Sequence, residues 1–401
     1  MPITTTARQK ARELKILPER LEFLEEKIQE WMTEGRRQTM TLAISRYGER
    51  IFEGAYGRSG PDESYPPAPM DQIFCVASIT KPIIAACLLK LQEDGIVDFS
   101  EKVTSFLPEF TGKDVEIWHL LTHTSGYSHE YVNEAIEKRI CEELGVALKA
   151  EWYEDEELWN KIMLDMRQRL GLPDVKNTER ATHDTWSYLE NQVPPEHEPH
   201  TVMSYYNTGY NIAKDILVEI CKKPIDEIAG ALLFEPLGMV DSHFILPKEK
   251  WDRVVVKGEG CQGYPWHNSP EAFVRENGAG GLKSTANDLM RFCEMILNNG
   301  IHNGKRILSP ISVRCMRTDY NGNLNPYDRW TIGLGIRADK TDTLGFLRPP
   351  SCLDHGGYGG SFIVLDPQTG LCISMLSAKQ GEGNGVIPYV SNIVHSALAE
   401  L

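Results

Sequence analysis

The chain lacks any C-x-x-C pair, and its nine cysteines, at 75, 87, 141, 221, 261, 293, 315, 352 and 372, are odd in number and irregular in spacing. That excludes a disulfide framework and a thiolate zinc site, and it points to reduced thiols, several in apolar runs (Cys75, Cys87, Cys293, Cys372). No run approaches the roughly eighteen apolar residues of a membrane span, and the first ten residues hold no apolar core of a secretory signal. The expected compartment is therefore cytoplasmic. Positive charge is scarce: 42 Lys and Arg stand against 57 Asp and Glu, for a net charge of −15. Nucleic acid and anionic membrane surfaces are poor partners for such a chain. No serine sits in G-x-S-x-G, so the strained elbow of an α/β-hydrolase is missing. His119 and His123 are four apart without an accompanying H-E-x-x-H, and His197 and His200 lie on a proline-rich stretch, so no metal site and no cofactor is expected. Internal repeats and low-complexity tracts are absent.

What remains is the composition of a folded protein, 41% hydrophobic and 25% charged over 401 residues, long enough for two interlocked domains. Leu21, Phe23, Leu24, Ile28 and Trp31 recur at mostly helical spacing over 18–34. Segments 39–45 and 50–57 flank Tyr47-Gly48-Glu49 and predict a β-hairpin. Between about 127 and 200 the chain turns acidic and helix-prone, with Trp152, Trp159 and Trp186 among the acids and a proline-rich loop at 194–200. This stretch reads as a lid over a pocket or as a surface insertion with no binding role. Helices are expected through Cys221, over 225–233 and, fed by the glycine-rich turn at 278–289, through Ile296. The last quarter predicts strands at 330–336, 361–366 and 371–376, then a helix from about Ile387 to Leu401. The glycine-rich stretch 278–285 does not follow the P-loop order, so it is not a phosphate cradle.

One stretch carries chemistry. Ser78 and Lys81 stand three apart in Cys75-Val76-Ala77-Ser78-Ile79-Thr80-Lys81-Pro82, just before an apolar helix, and Ser78 alone among the serines has a lysine at +3. If Ser78 opens that helix, one turn sets its hydroxyl beside the Lys81 amine. A serine hydroxyl needs a base to become a nucleophile, and a desolvated lysine near a helix N-terminus can serve. Pro82 is tolerated in a first turn. Tyr205-x-Asn207 offers a phenol to move a proton and an amide to donate to a carbonyl; Tyr131-x-Asn133 is a second match, in the acidic helical stretch. His355-Gly356-Gly357-Tyr358-Gly359-Gly360 precedes a predicted strand, where glycines let a ligand lie close to a sheet edge; the plainer alternative is a glycine-rich hairpin with a surface histidine.

Ser78-x-x-Lys81, His123-Thr124-Ser125-Gly126, Tyr205-x-Asn207 and His355-x-Gly357, in that order, resemble the serine β-lactamase and penicillin-binding-protein superfamily. The class C-like branch, with its family VIII carboxylesterases, D-amino-acid peptidases and statin-pathway acyltransferases, is the nearest in pattern. Phe234-Glu235-Pro236-Leu237-Gly238-Met239, Gly280-Gly281-Leu282-Lys283-Ser284-Thr285 and Asp366-Pro367-Gln368-Thr369-Gly370 are similar to recurrent stretches of that branch, and the resemblance covers roughly 38–126 and 201–400. It implies an α/β (α+β) fold: an antiparallel sheet flanked by helices, over 1–105 and 240–401, with a helical domain over 106–239 that holds the acidic insert, and the site between them. It implies an acyl-enzyme on Ser78, with Lys81 and Tyr205 sharing the acid and base work and the acylation base left open between them. Asn207 would orient the substrate, and the backbone N–H groups of Ser78 and Tyr358 would hold the oxyanion. The context Asn207-Thr208-Gly209-Tyr210 selects Tyr205 over Tyr131. His355 stands where β-lactamases carry the lysine of K-T-G, which weakens carboxylate binding and favours a small-molecule ester or amide over an antibiotic. Hydrolysis, acyl transfer, a D-amino-acid peptidase or weak β-lactamase activity, and a silent ligand-binding or self-assembling relative remain as alternatives, and the oligomeric state is open.

Overall fold

The computed structural model describes residues 5–147, 156–173, 178–338, 342–381 and 385–400. Two compact units divide the chain: one from residues up to Val97 and from Lys223 onward, the other from Asp98 to Lys222. Among the described residues no helix is long and apolar enough to cross a membrane.

The first unit is built on a seven-stranded antiparallel sheet. Its strands are β1 (Arg37–Arg46), β2 (Glu49–Gly57), β3 (Arg329–Trp330), β4 (Gly335–Ile336), β5 (Leu353–Gly357), β6 (Ser361–Leu365) and β7 (Leu371–Lys379), in the spatial order β2-β1-β7-β6-β5-β4-β3. The first hairpin turns on Tyr47 and Gly48 alone, at φ 53° and 78°, the paired positive angles that match the right-handed twist of the flanking strands. β1 is buried on both faces. Met40, Leu42 and Ile44 face a core shared with Leu371, Ile373 and Met375 of β7, with Leu21, Leu24, Ile28 and Trp31 of α2 (Pro18–Thr33), and with Val390 and Val394 of α11 (Ile387–His395). Each such side chain contributes about 1.5–3 kcal/mol on burial. The alternate residues meet α10 (Ala286–Leu297), where the Ser45 hydroxyl reaches Met290 Sδ at 3.4 Å. The result is the helix–sheet–helix layering expected of the α/β class.

Three expectations need correction. The segment 330–336 is two short strands, because the Thr331 N–H closes a turn on the Leu334 carbonyl and Gly333, at φ 90°, passes so near Ala85 that a Cβ would stand 2.5 Å from that methyl. The last helix stops at His395. The helix at 225 is regular only to Ala229 and widens into a π-turn over Gly230–Phe234.

The second unit is helical. It contains α4 (Ile117–Leu121), α5 (His129–Leu144), α6 (Glu156–Arg169), α7 (Thr178–Gln192) and α8 (Thr208–Cys221). Ser128 caps α5 by accepting the Tyr131 N–H, and Gly145, at φ 67°, ends it. Of the acidic stretch, Glu151, Trp152, Glu154 and Asp155 lie outside the described residues. The remainder is layered, α5 on α6, α6 on α7 and α7 on α8, with Trp159 and Trp186 at 5.5 Å between ring centres.

Candidate active site

Ser78 does not open an α-helix. It lies in a 3₁₀ turn over Ala77–Ile79, and α3 (Thr80–Glu93) begins after it. The tighter turn suits the i, i+3 pair, since side chains three apart eclipse there. Lys81 Nζ is 3.0 Å from Ser78 Oγ and 3.0 Å from the Ala279 carbonyl. Ala77, just before the serine, has φ 47°, a strained angle for a residue with a Cβ. Its neighbours hold it there. Thr80 Oγ1 donates to the Ala77 carbonyl at 2.7 Å and accepts the Leu282 N–H at 3.0 Å, while the Val76 N–H donates to the Leu282 carbonyl at 3.1 Å. Phe74–Cys75 pairs with Lys283–Ser284 alongside. The glycine-rich stretch 278–285 is thus the strap over the serine turn, and it supplies the carbonyl at Ala279 that receives the lysine.

Lys81 is fully buried, and that burial holds its amine well below the ordinary lysine range. Desolvation of this kind favours the neutral amine, the form that can take a proton. β5 packs against the serine turn, and a side chain at Gly357 would collide with the Val76 carbonyl, so glycine is required for this approach. The expected strand follows this stretch as β6, but His355 itself already lies inside β5, opposite Ile363, and it is buried at 2% exposure rather than on the surface. Its Nδ1 lies 2.8 Å from the Gly356 carbonyl and its ring meets Trp330 edge-on at 5.3 Å. Burial, reinforced by Lys81, pushes it down to about 3, so it is neutral. Tyr358 at the turn is 59% exposed.

The helical unit presents the Tyr-x-Asn motif on its own terms. Tyr205 and Tyr206 alternate, the first 37% exposed and the second buried with its hydroxyl on Ser125. Burial drives the Tyr206 phenol up, out of range for proton transfer near neutrality. Asn207 is the N-cap residue of α8. Tyr131 and Asn133 lie within α5, and Asn133 Nδ2 is 3.3 Å from His129. His123 clamps Tyr205 from both sides: its carbonyl accepts the Ser204 N–H at 3.0 Å, its Nδ1 accepts the Tyr206 N–H at 3.3 Å, and its ring centre is 4.6 Å from that of Tyr205. It does so at φ 59°, fully buried. His119, the other histidine of the i, i+4 pair, accepts the Glu116 N–H and so caps α4.

The insert also buttresses the motif. Glu190 of α7 accepts from Thr208 Oγ1 at 2.9 Å and Asn211 Nδ2 at 3.1 Å, both on the first turn of α8. Burial, opposed by those bonds, pushes its carboxyl up to about 7. Reading by composition missed this role, since one glutamate among many carries no local signal.

The chain matches the Beta-lactamase family over residues 24–389. It is 34% identical to Esterase EstB of Burkholderia gladioli over 384 residues, covering 87% of this chain and 88% of that one. Among solved structures it resembles EstCE1, a hydrolase with promiscuous acyltransferase activity, with TM-score 0.68 at 19% identity and 98% of each chain covered. It also resembles a family VIII carboxylesterase, with TM-score 0.69 at 18% identity, covering 99% of this chain and 98% of that one. These two likenesses show the fold. A match across most of the length, together with the identity to an esterase, places this chain in the β-lactamase family.

Proposed function

We propose that the protein is a serine hydrolase that forms an acyl-enzyme on Ser78 and acts on a small-molecule ester or amide. The observation that carries the reading is the buried, low-pKa Lys81 amine 3.0 Å from the Ser78 hydroxyl. The name of EstB as an esterase supports it. Lys81 takes the Ser78 proton as Oγ attacks the substrate carbonyl carbon. The carbonyl oxygen becomes an oxyanion, held by the N–H groups of Ser78 and Tyr358. As the tetrahedral centre collapses, the bond to the leaving group breaks and that group takes a proton from Lys81 or Tyr205, which share the acid and base work. Water then gives a proton to the same pair as it attacks the ester carbon; the bond from that carbon to Ser78 Oγ breaks, Oγ takes the proton back from the pair, and the free acid leaves. Asn207 orients the substrate carbonyl. A neutral His355 offers no permanent cation to a carboxylate, which favours uncharged esters and amides.

Ser78→Ala is expected to lower hydrolysis of a short p-nitrophenyl ester by about a thousandfold or more. A variant at the parental rate would end this reading. The activity in the description of EstCE1 favours a second outcome of the same intermediate, in which an alcohol or amine replaces water. Product analysis with acyl donor and acceptor separates the two: transfer yields a new ester or amide, hydrolysis only free acid.

A further inference from the structure

The turn that carries Tyr358 is held from behind by the loop at 257–268. The Gly359 N–H donates to Gln262 Oε1 at 3.2 Å. The Lys379 N–H donates to the Gly359 carbonyl, and the Gln262 N–H donates to the Lys379 carbonyl, each at 3.0 Å. Beneath this clamp lies Lys257, 2% exposed, its Nζ donating to the Gln262 carbonyl at 2.7 Å and to His267 Nδ1 at 2.8 Å. A Cβ on Gly359 would stand 2.6 Å from that nitrogen, and the turn holds this residue at φ 107°, an angle that favours glycine. The His267 ring meets Tyr358 edge-on at 6.3 Å.

The ionisable groups around Lys257 are the thiols of Cys75 and Cys261 and the ring of His267. His267 is itself held neutral by burial, then by Lys257, Arg275 and Lys283. Lys283 is buried on the carbonyls of Phe244, Gly281 and Arg275. Among the described residues no carboxylate pairs with Lys257. A buried cation without a counter-ion is costly to the fold, and such a charge is retained where negative charge develops during a reaction.

We propose that Lys257 is a positioning residue for the chemistry at Ser78: it fixes the Tyr358–Gly359 backbone through Gln262 and supplies positive potential behind the peptide that receives the oxyanion. This rests on the reading of Ser78 as the nucleophile. The neutral ring of His355 cannot provide that potential; Lys257, its Nζ beside Gly359 and hydrogen-bonded to the loop that holds the turn, provides it. Burial holds Lys257 down to about 8, so it carries its charge below that pH and loses it above.

The test compares the parent, Ser78→Ala, Lys257→Met and Lys257→Gln on a p-nitrophenyl ester from pH 6 to 10, with a melting curve for each. Glutamine keeps a donor for the Gln262 carbonyl without the charge. Both Lys257 variants are expected to lose about tenfold or more in kcat with KM within about threefold, and to lose an alkaline limb that the parent shows near pH 8. Both are expected to melt no lower than the parent, since each removes an uncompensated buried charge. A parent no more active than Ser78→Ala would overturn the reading of Ser78 and this inference with it. A parent that depends on Ser78, beside Lys257 variants with parental kcat and the same alkaline limb, would overturn the role of Lys257 alone. Variants that fail to fold, or that melt lower with parental kcat, would also overturn it, because Lys257 would then serve only the fold.

Discussion

Burial shifts ionisable groups in both units, and around the two motifs it does so in opposite directions. Near the Ser78 turn it holds the amines Lys81, Lys257 and Lys283 below the ordinary lysine range, although elsewhere in the same unit it pushes up acids such as Asp288 and Cys372. Around Tyr205-x-Asn207 it pushes up Tyr127, Tyr206, Tyr210 and Glu190, although in the same unit it pushes His119 down to about 4. One rule, the cost of desolvating the charged form, acts on both. It favours the neutral form of the amines, most of all Lys81, and keeps the phenols and the carboxyl as holders of protons. Acyl transfer needs a group of each kind. Desolvation is the largest cause in each of these cases, so burial, more than any one ion pair, sets the protonation states around the two motifs.

The contrast can be broken first at Lys81. Lys81→Met is expected to lower kcat on a p-nitrophenyl ester by about a thousandfold while the protein melts at or above the parental temperature, because an apolar chain replaces a desolvated amine. A variant with a tenth or more of the parental rate would remove Lys81 from the chemistry. The next effect lies at His123. Leucine there removes the acceptor for the Tyr206 N–H and sits badly at φ 59°, so kcat should fall about ten- to a hundredfold, with roughly 2 kcal/mol of lost stability. Asparagine tolerates that backbone angle and its Oδ1 can replace Nδ1, so His123→Asn should recover most of both losses. Equal losses in steady-state rates and melting for the two variants would contradict this.

The smallest expected effect is at Glu190. Its carboxyl binds a proton more tightly in the folded state, about 7 against an ordinary 4.5. A raised carboxyl pKa makes the folded chain hold more protons than the unfolded one between those values. Stability is therefore greatest below about 4.5 and declines as pH rises through 7, by on the order of 2–3 kcal/mol from this group. Glu190→Gln keeps an acceptor for Thr208 and Asn211 and should flatten that slope. Denaturant unfolding at pH 5 and pH 8 checks it, and an unchanged difference between the two would show that Glu190 does not titrate there.

Local pattern made much of this readable. The hairpin at Tyr47-Gly48, the apolar stripe of α2, the helix after Lys81 and the Ser78-x-x-Lys81 spacing all follow from period and turn chemistry within a few residues. What could not be read are contacts across long separations. The 3₁₀ turn at Ser78 depends on Leu282 and Thr80 clasping one another, some two hundred residues apart in sequence. The burial of His355 depends on strand order, not on the glycines around it. Gly333 splits an apparent strand because α3 passes beside it. Lys257 stands in a loop-rich stretch with no motif, and nothing near it in sequence predicts the Gly359 turn above it. The role of Glu190 was hidden the same way, inside an acidic stretch where most of the described acids face solvent.

The account stands on Ser78 as the atom that takes the acyl group. Treating the intact protein with a fluorophosphonate, then measuring mass and mapping the modified peptide, tests this directly. A single adduct on Ser78, formed far more slowly in Lys81→Met, is the predicted result. An unmodified protein, or an adduct on another residue with Ser78 untouched, would contradict it.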